Sequence, residues 1–111
     1  MLIQTRTIIV EKGHSDKVIE KFTNPSPIDT MEGLIDKSVM INRKKQDHEE
    51  VMVMIRWRSI EDWKNWEKSD AHIQGHRQNR GKTPPEYIFS TNVSMYEVKD
   101  MKNGISATTN Q

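Results

Sequence analysis

The chain has 111 residues, 17 Lys and Arg against 16 Asp and Glu, a formal net charge of +1 and no cysteine. Its length fits one domain, its charge balance offers no basic excess for a nucleic-acid or anionic-membrane surface, and the missing cysteine excludes disulfides, thiolate metal sites and cysteine nucleophiles. No apolar run approaches the ~20 residues of a membrane span, and the start, MLIQTRTIIVEKG, lacks a basic leader and a long apolar stretch, so a soluble, cytoplasmic protein is expected.

Residues 2–11 (LIQTRTIIVE) are rich in β-branched side chains and read as a strand. Ile3, Thr5, Thr7 and Ile9 share one face, and Leu2, Gln4, Arg6, Ile8 and Val10 the other. The first set is assigned to the helix side. Gly13 breaks the strand, and Ser15 is read as the N-cap of a helix over 16–23 with Val18, Ile19 and Phe22 inward. Asn24-Pro25-Ser26-Pro27 ends it, with a short helical turn expected near 28–31.

Residues 33–43 (GLIDKSVMINR) predict a second strand, 44–49 a turn, and 50–58 (EVMVMIRWR) a third strand, apolar on both faces and therefore central or doubly covered. Ser59-Ile60-Glu61-Asp62 has the form of a capping box and opens a helix with Ile60, Trp63 and Trp66 on one face. Ser69 caps a further helix over 70–79, which Gly81, Pro84 and Pro85 stop. Residues 87–98 (YIFSTNVSMYEV) predict the last strand. The order β-α-β-β-α-α-β implies an α+β, ferredoxin-like split βαβ sandwich in a single domain, residues 1–100. A tail, residues 101–111, is expected to be disordered. Helices cover one sheet face, and the other needs a cover, most economically a second copy closing a β-barrel homodimer. At 33%, the hydrophobic content is low enough to suit burial against such a partner.

The segment WEKSDAHIQGHRQNRG, residues 66–81, sets His72 and His76 one helical turn apart. Three readings stay open on these residues alone. The first is a plain surface helix. The second is a zinc site, which needs a further Asp, Glu or His ligand and lacks the glutamate of HExxH. The third makes His76 the axial ligand of a haem iron. Gly75 would then let a flat ligand lie against the helix, with Trp66 as an aromatic wall.

The segment from Trp57 to His76, WRSIEDWKNWEKSDAHIQGH, resembles the helical region of the IsdG-type haem-degrading monooxygenases, within the antibiotic-biosynthesis monooxygenase (ABM) superfamily. The most telling piece is Trp66-Glu67-Lys68-Ser69-Asp70 and then, after five residues, His76. QTRTIIVEKG at the start, GLID from Gly33 and EEV at 49–51 also fall in register. The resemblance covers residues 1–98 and is closest to the HmoA-like, Bacillus-type branch.

The resemblance implies a ferredoxin-like dimer with a barrel interface. It implies haem as substrate and cofactor, cleaved with O2 and an external electron donor, reductant or reductase, to release iron and a bilin-type product. Of the family's Asn, Trp and His triad, His76 takes the place of the axial ligand (the metal ligand) and Trp66 that of the tryptophan that presses on the macrocycle. The asparagine's place falls on Thr5, whose hydroxyl donates one hydrogen bond where an amide donates two. Arg77, Arg80 and Lys82 are candidates to meet the haem propionates. His72 is expected at the pocket edge, and His14 and His48 have no assigned role. The alternatives are a haem-binding or haem-buffering protein without turnover, which the missing asparagine favours, and a cofactor-free ABM monooxygenase acting on a small aromatic or quinol.

Overall fold

The computed structural model describes residues 1–108, the side chains of 107 and 108 excepted. The elements follow in chain order as β1 (Leu2–Val10), α1 (Ser15–Thr23), a 3-10 turn (Pro27–Thr30), β2 (Leu34–Asn42), β3 (Glu49–Trp57), α2 (Ile60–Lys68), α3 (Asp70–Asn79), β4 (Ile88–Glu97) and a 3-10 turn (Ile105–Thr108). The strands form one antiparallel sheet in the order β2-β3-β1-β4. That is the split βαβ arrangement, with β3 internal as its apolar faces require. Of the expected tail, residues 101–104 have no regular structure and Ile105–Thr108 is a helical turn, while 109–111 lie outside the described residues. No described helix is long and apolar enough to cross a membrane.

Pairing of β1 with β3 sets Leu2 opposite Trp57, Ile8 opposite Val51 and Arg6 opposite Val53. Ile8, Val10, Val51 and Val18 of α1 form one buried cluster, against which Ile19 and Phe22 pack. Leu2, Ile28 and Trp57 form a second, joined by Trp63 and Trp66 of α2. Each such aliphatic side chain contributes about 1.5–3 kcal/mol on full burial. The even-numbered residues of β1 therefore face the helices. The expected assignment of Ile3, Thr5, Thr7 and Ile9 to that side is corrected. Both faces of β1 carry isoleucine, and alternation alone does not tell an internal strand which face the helices take.

Ser15 is the first residue of α1, not its cap. It is buried, and its hydroxyl donates to Glu49 Oε1 at 2.7 Å, tying the helix start to β3. The Ser59 and Ser69 caps are as expected: their hydroxyl oxygens accept from the N–H groups of Asp62 and His72, each at 3.2 Å. Asp62 is almost fully buried and accepts from Arg58 at 2.9 and 3.0 Å and from the Ser59 hydroxyl at 2.9 Å. Arg58 first, then Ser59, holds this carboxyl below the usual aspartate range. Gly33 lies against it with φ +88°, and a Cβ there would stand 2.2 Å from Asp62 Cγ. Only glycine suits both that conformation and that space. These contacts fix the entry of α2, and with it Trp66.

Candidate functional site

Helices α2 and α3 meet at Ser69, whose extended ψ of 149° turns the chain between them. The turn lays α3 above the sheet and opens a cavity of about 600 Å³, within the roughly 300–1,000 Å³ of small-molecule and cofactor sites. Trp66, His72, Gly75 and His76 line the helical wall. Gln4, Arg6, Val53 and Ile55 form the sheet floor, with Phe22 of α1 and Ile28 of the 3-10 turn at the side. A Cβ on Gly75 would meet nothing within 4 Å, so the glycine leaves a bare backbone wall.

The histidines act on each other. His72 Nδ1 lies 3.2 Å from the carbonyl oxygen of Glu67, and His72 Nε2 lies 2.8 Å from Glu67 Oε2. His76 Nε2 lies 3.1 Å from His72 Nε2. Both ring nitrogens of His72 thus lie against oxygens of Glu67, while His76 Nε2 lies against His72 alone. An unprotonated imidazole nitrogen is the form that ligates a metal. The rings of Trp66 and His72 meet edge to face, with centroids 5.0 Å apart. Among the described residues no group of three or more His, Asp or Glu side chains is placed to hold a bare metal ion, so the zinc reading finds no third ligand.

The cavity thus brings together Trp66 and His76, and leaves out four other residues singled out in the sequence. Thr5 sits on the opposite sheet face, paired with Met54 and Ser94. A side-chain period of two means that a one-residue difference in register moves a group through the sheet, and the cavity-side neighbours are Gln4 and Arg6. Arg77 and Arg80 are exposed and do not line the cavity. Arg77 lies on the same face of α3 as exposed Ile73, and Arg80 is the extended residue after the helix end. Lys82 lines an adjoining cavity of about 530 Å³. Sequence reasoning missed Gln4, Arg6, Lys21, Lys37 and Glu67, which are among the polar residues that do face the site. The even-numbered alternation of β1 was the signal for the first two.

The antibiotic biosynthesis monooxygenase family model matches residues 1–78. The chain belongs to that family. Among relatives, this family member is 51% identical over 104 residues to the haem-degrading monooxygenase HmoA of Bacillus subtilis, covering 94% of this chain and 96% of that one. It is 36% identical over 107 residues to a haem-degrading monooxygenase of Halalkalibacterium halodurans, covering 96% and 90%. A crystal structure from Bacillus cereus, described as an antibiotic biosynthesis monooxygenase, superposes with a TM-score of 0.80 at 40% identity, covering 93% of this chain and 97% of that one. The fold is shared at 14% identity and TM-score 0.65 with MhuD of Mycobacterium tuberculosis, a haem degrader whose structure holds two haems in its active site; the match covers 93% of this chain and 100% of that one.

Proposed function

We propose that this ABM-family chain is a haem-degrading monooxygenase that opens the porphyrin with O2 and external electrons, releasing iron and a bilin-type product. The observation that carries the reading is one ligand-sized cavity shared by His76, Trp66 and Gly75. These residues fit a flat tetrapyrrole: an imidazole able to ligate iron, a bare backbone wall and an apolar floor of Val53 and Ile55. The relatives in Bacillus subtilis and Halalkalibacterium halodurans, named for haem degradation, support it.

Bound haem supplies the redox and oxygen chemistry through its iron, while the protein supplies binding, orientation and electrostatics. His76 would hold the haem iron through the Nε2 that now lies against His72. Trp66 borders the ring. Val53, Ile55, Ile28 and Phe22 exclude water from the ligand's apolar edge. Nothing in the sequence marks a flavin or nicotinamide site, having neither GxGxxG nor a P-loop, so a separate cytoplasmic reductant delivers the electrons.

A second copy of the chain covers the open sheet face. Ile3, Ile9, Met52 and Met54 lie there half-buried, with Met40 and Tyr96 exposed. Asp36 and Arg56 form an ion pair on the same face. A solution mass of twice the 13.0 kDa of one chain is expected by light scattering, and the mass of one chain would refute the dimer.

The turnover test is a spectral time course. One equivalent of hemin is added to the apoprotein, followed by ascorbate and catalase in air; catalase removes free peroxide, which destroys haem unaided. A shifted Soret band that decays as bilin-like absorbance and chelatable iron appear is the expected course. A stable Soret band would instead indicate haem buffering, and no Soret shift would indicate a cofactor-free oxygenase.

A further inference from the structure

The adjoining cavity of about 530 Å³ is lined by four cations, Arg6, Lys17, Lys21 and Lys82, and among the described residues no carboxylate lines it. In a chain with net charge +1 this is a local concentration of positive charge. Arg6, Lys21, Phe22 and Asn79 line both cavities and form the passage between them. Arg6 is half-buried on the sheet floor and has no ion pair or side-chain hydrogen bond among the described residues. A guanidinium is always charged, and leaving one partly desolvated without a counter-charge is unfavourable. Its five donors in a fixed fork match a carboxylate. Trp66, Ile28 and Ile55 line the first cavity alone.

We propose that the basic cavity takes the two propionates of the tetrapyrrole, with Arg6 as the principal anchor and Lys21 beside it. The proposal rests on the haem reading above and adds the ligand's orientation within its plane. The acidic edge lies at Arg6 and Lys21. The apolar edge lies against Ile28, Ile55 and Trp66. The meso carbon between the propionates is thereby held away from Trp66, so these cations select which ring edge is opened.

The test compares hemin with hemin dimethyl ester, which keeps the iron and ring and lacks the carboxylates. Affinities are read by Soret titration of wild type, Arg6→Gln, Lys21→Gln and Arg77→Gln, each checked for folding by its thermal transition. Wild type is expected to prefer hemin. Arg6→Gln loses about tenfold for hemin, the size of a charge-assisted hydrogen bond, with the ester unaffected. Lys21→Gln, an exposed cation, loses a few-fold in the same selective way, and keeps the proposal testable if Arg6→Gln does not fold. Arg77→Gln changes neither affinity. Cleavage products of Arg6→Gln shift toward a mixture of isomers. Equal affinity of wild type for both porphyrins, or equal loss for both in the variants, overturns the carboxylate anchor while leaving the haem reading intact. Absence of any Soret shift with either porphyrin overturns both.

Discussion

His76→Ala removes the Soret shift that hemin gives with wild type, and His72→Ala keeps it. Both residues lie on α3, which buries none of its side chains. Neither lies in the core: His76 is exposed, and its loss shifts stability by about 0.5 kcal/mol or less, while half-buried His72 also gives up its contacts with Glu67 and Trp66. Loss of the spectrum in one and not the other reports ligation. The asymmetry follows from Glu67. Its carbonyl and carboxylate oxygens at 3.2 and 2.8 Å occupy both nitrogens of His72, whereas His76 has one ring nitrogen engaged, by His72 alone. Freeing His72 for a metal breaks its contacts with Glu67. Freeing His76 breaks one contact between two rings, and His72→Ala removes that competitor outright, so hemin affinity is held or raised. Titration of hemin against each variant, with the Soret maximum and the affinity read together, checks this. Equal loss from both variants would sink the axial assignment and return the pair to the shared-metal reading.

The elements were legible because their signals are local. Ser59 and Ser69 each place an oxygen three residues before a free helical N–H, and Gly33 stands where β2 must turn with positive φ. Those requirements are met within a few residues, so a single sequence displays them. Trp66 and His76 were legible for the same reason, being ten residues apart on two short helices that one serine joins. The polar lining was not. Arg6, Lys17, Lys21 and Lys82 come from β1, α1 and the loop after α3, and only the sheet pairing brings them to one cavity.

Thr5 illustrates a different failure. A resemblance aligned by nearby residues is good to a position or so, and on a strand one position decides which side of the sheet a group faces. The buried Leu2, Ile8 and Val10 settle the face, and Thr5 is left on the side proposed for the second copy. Arg77 fails by the helical analogue: at 100° per residue, the position after His76 already points away from the site, and Arg80 lies past the end of α3. Proximity in sequence to a ligand residue is thus weak evidence of proximity to the ligand.

Trp66→Phe binds hemin with affinity close to wild type and degrades it roughly tenfold more slowly. The substitution is chosen because Trp66 has two functions that alanine would remove together. It packs against the Leu2, Ile28 and Trp57 cluster, and truncation of a buried Trp to Ala costs about 3–5 kcal/mol, enough to confound a kinetic reading in a small domain. Phenylalanine keeps an aromatic ring against the Leu2, Ile28 and Trp57 cluster and beside His72, and gives up one ring of the indole. If that ring presses on the porphyrin, its loss forfeits strain of about 1–5 kcal/mol, of which 1.4 kcal/mol already gives a factor of ten in rate. With His76 as the proposed iron ligand carrying most of the binding, affinity barely responds. Single-turnover decay of the Soret band under ascorbate and catalase, with the hemin affinity measured on the same preparation, separates the two effects. Unchanged decay would show that indole bulk has no part in the chemistry, and a matched loss of affinity and rate would make Trp66 a wall of the binding site and nothing more.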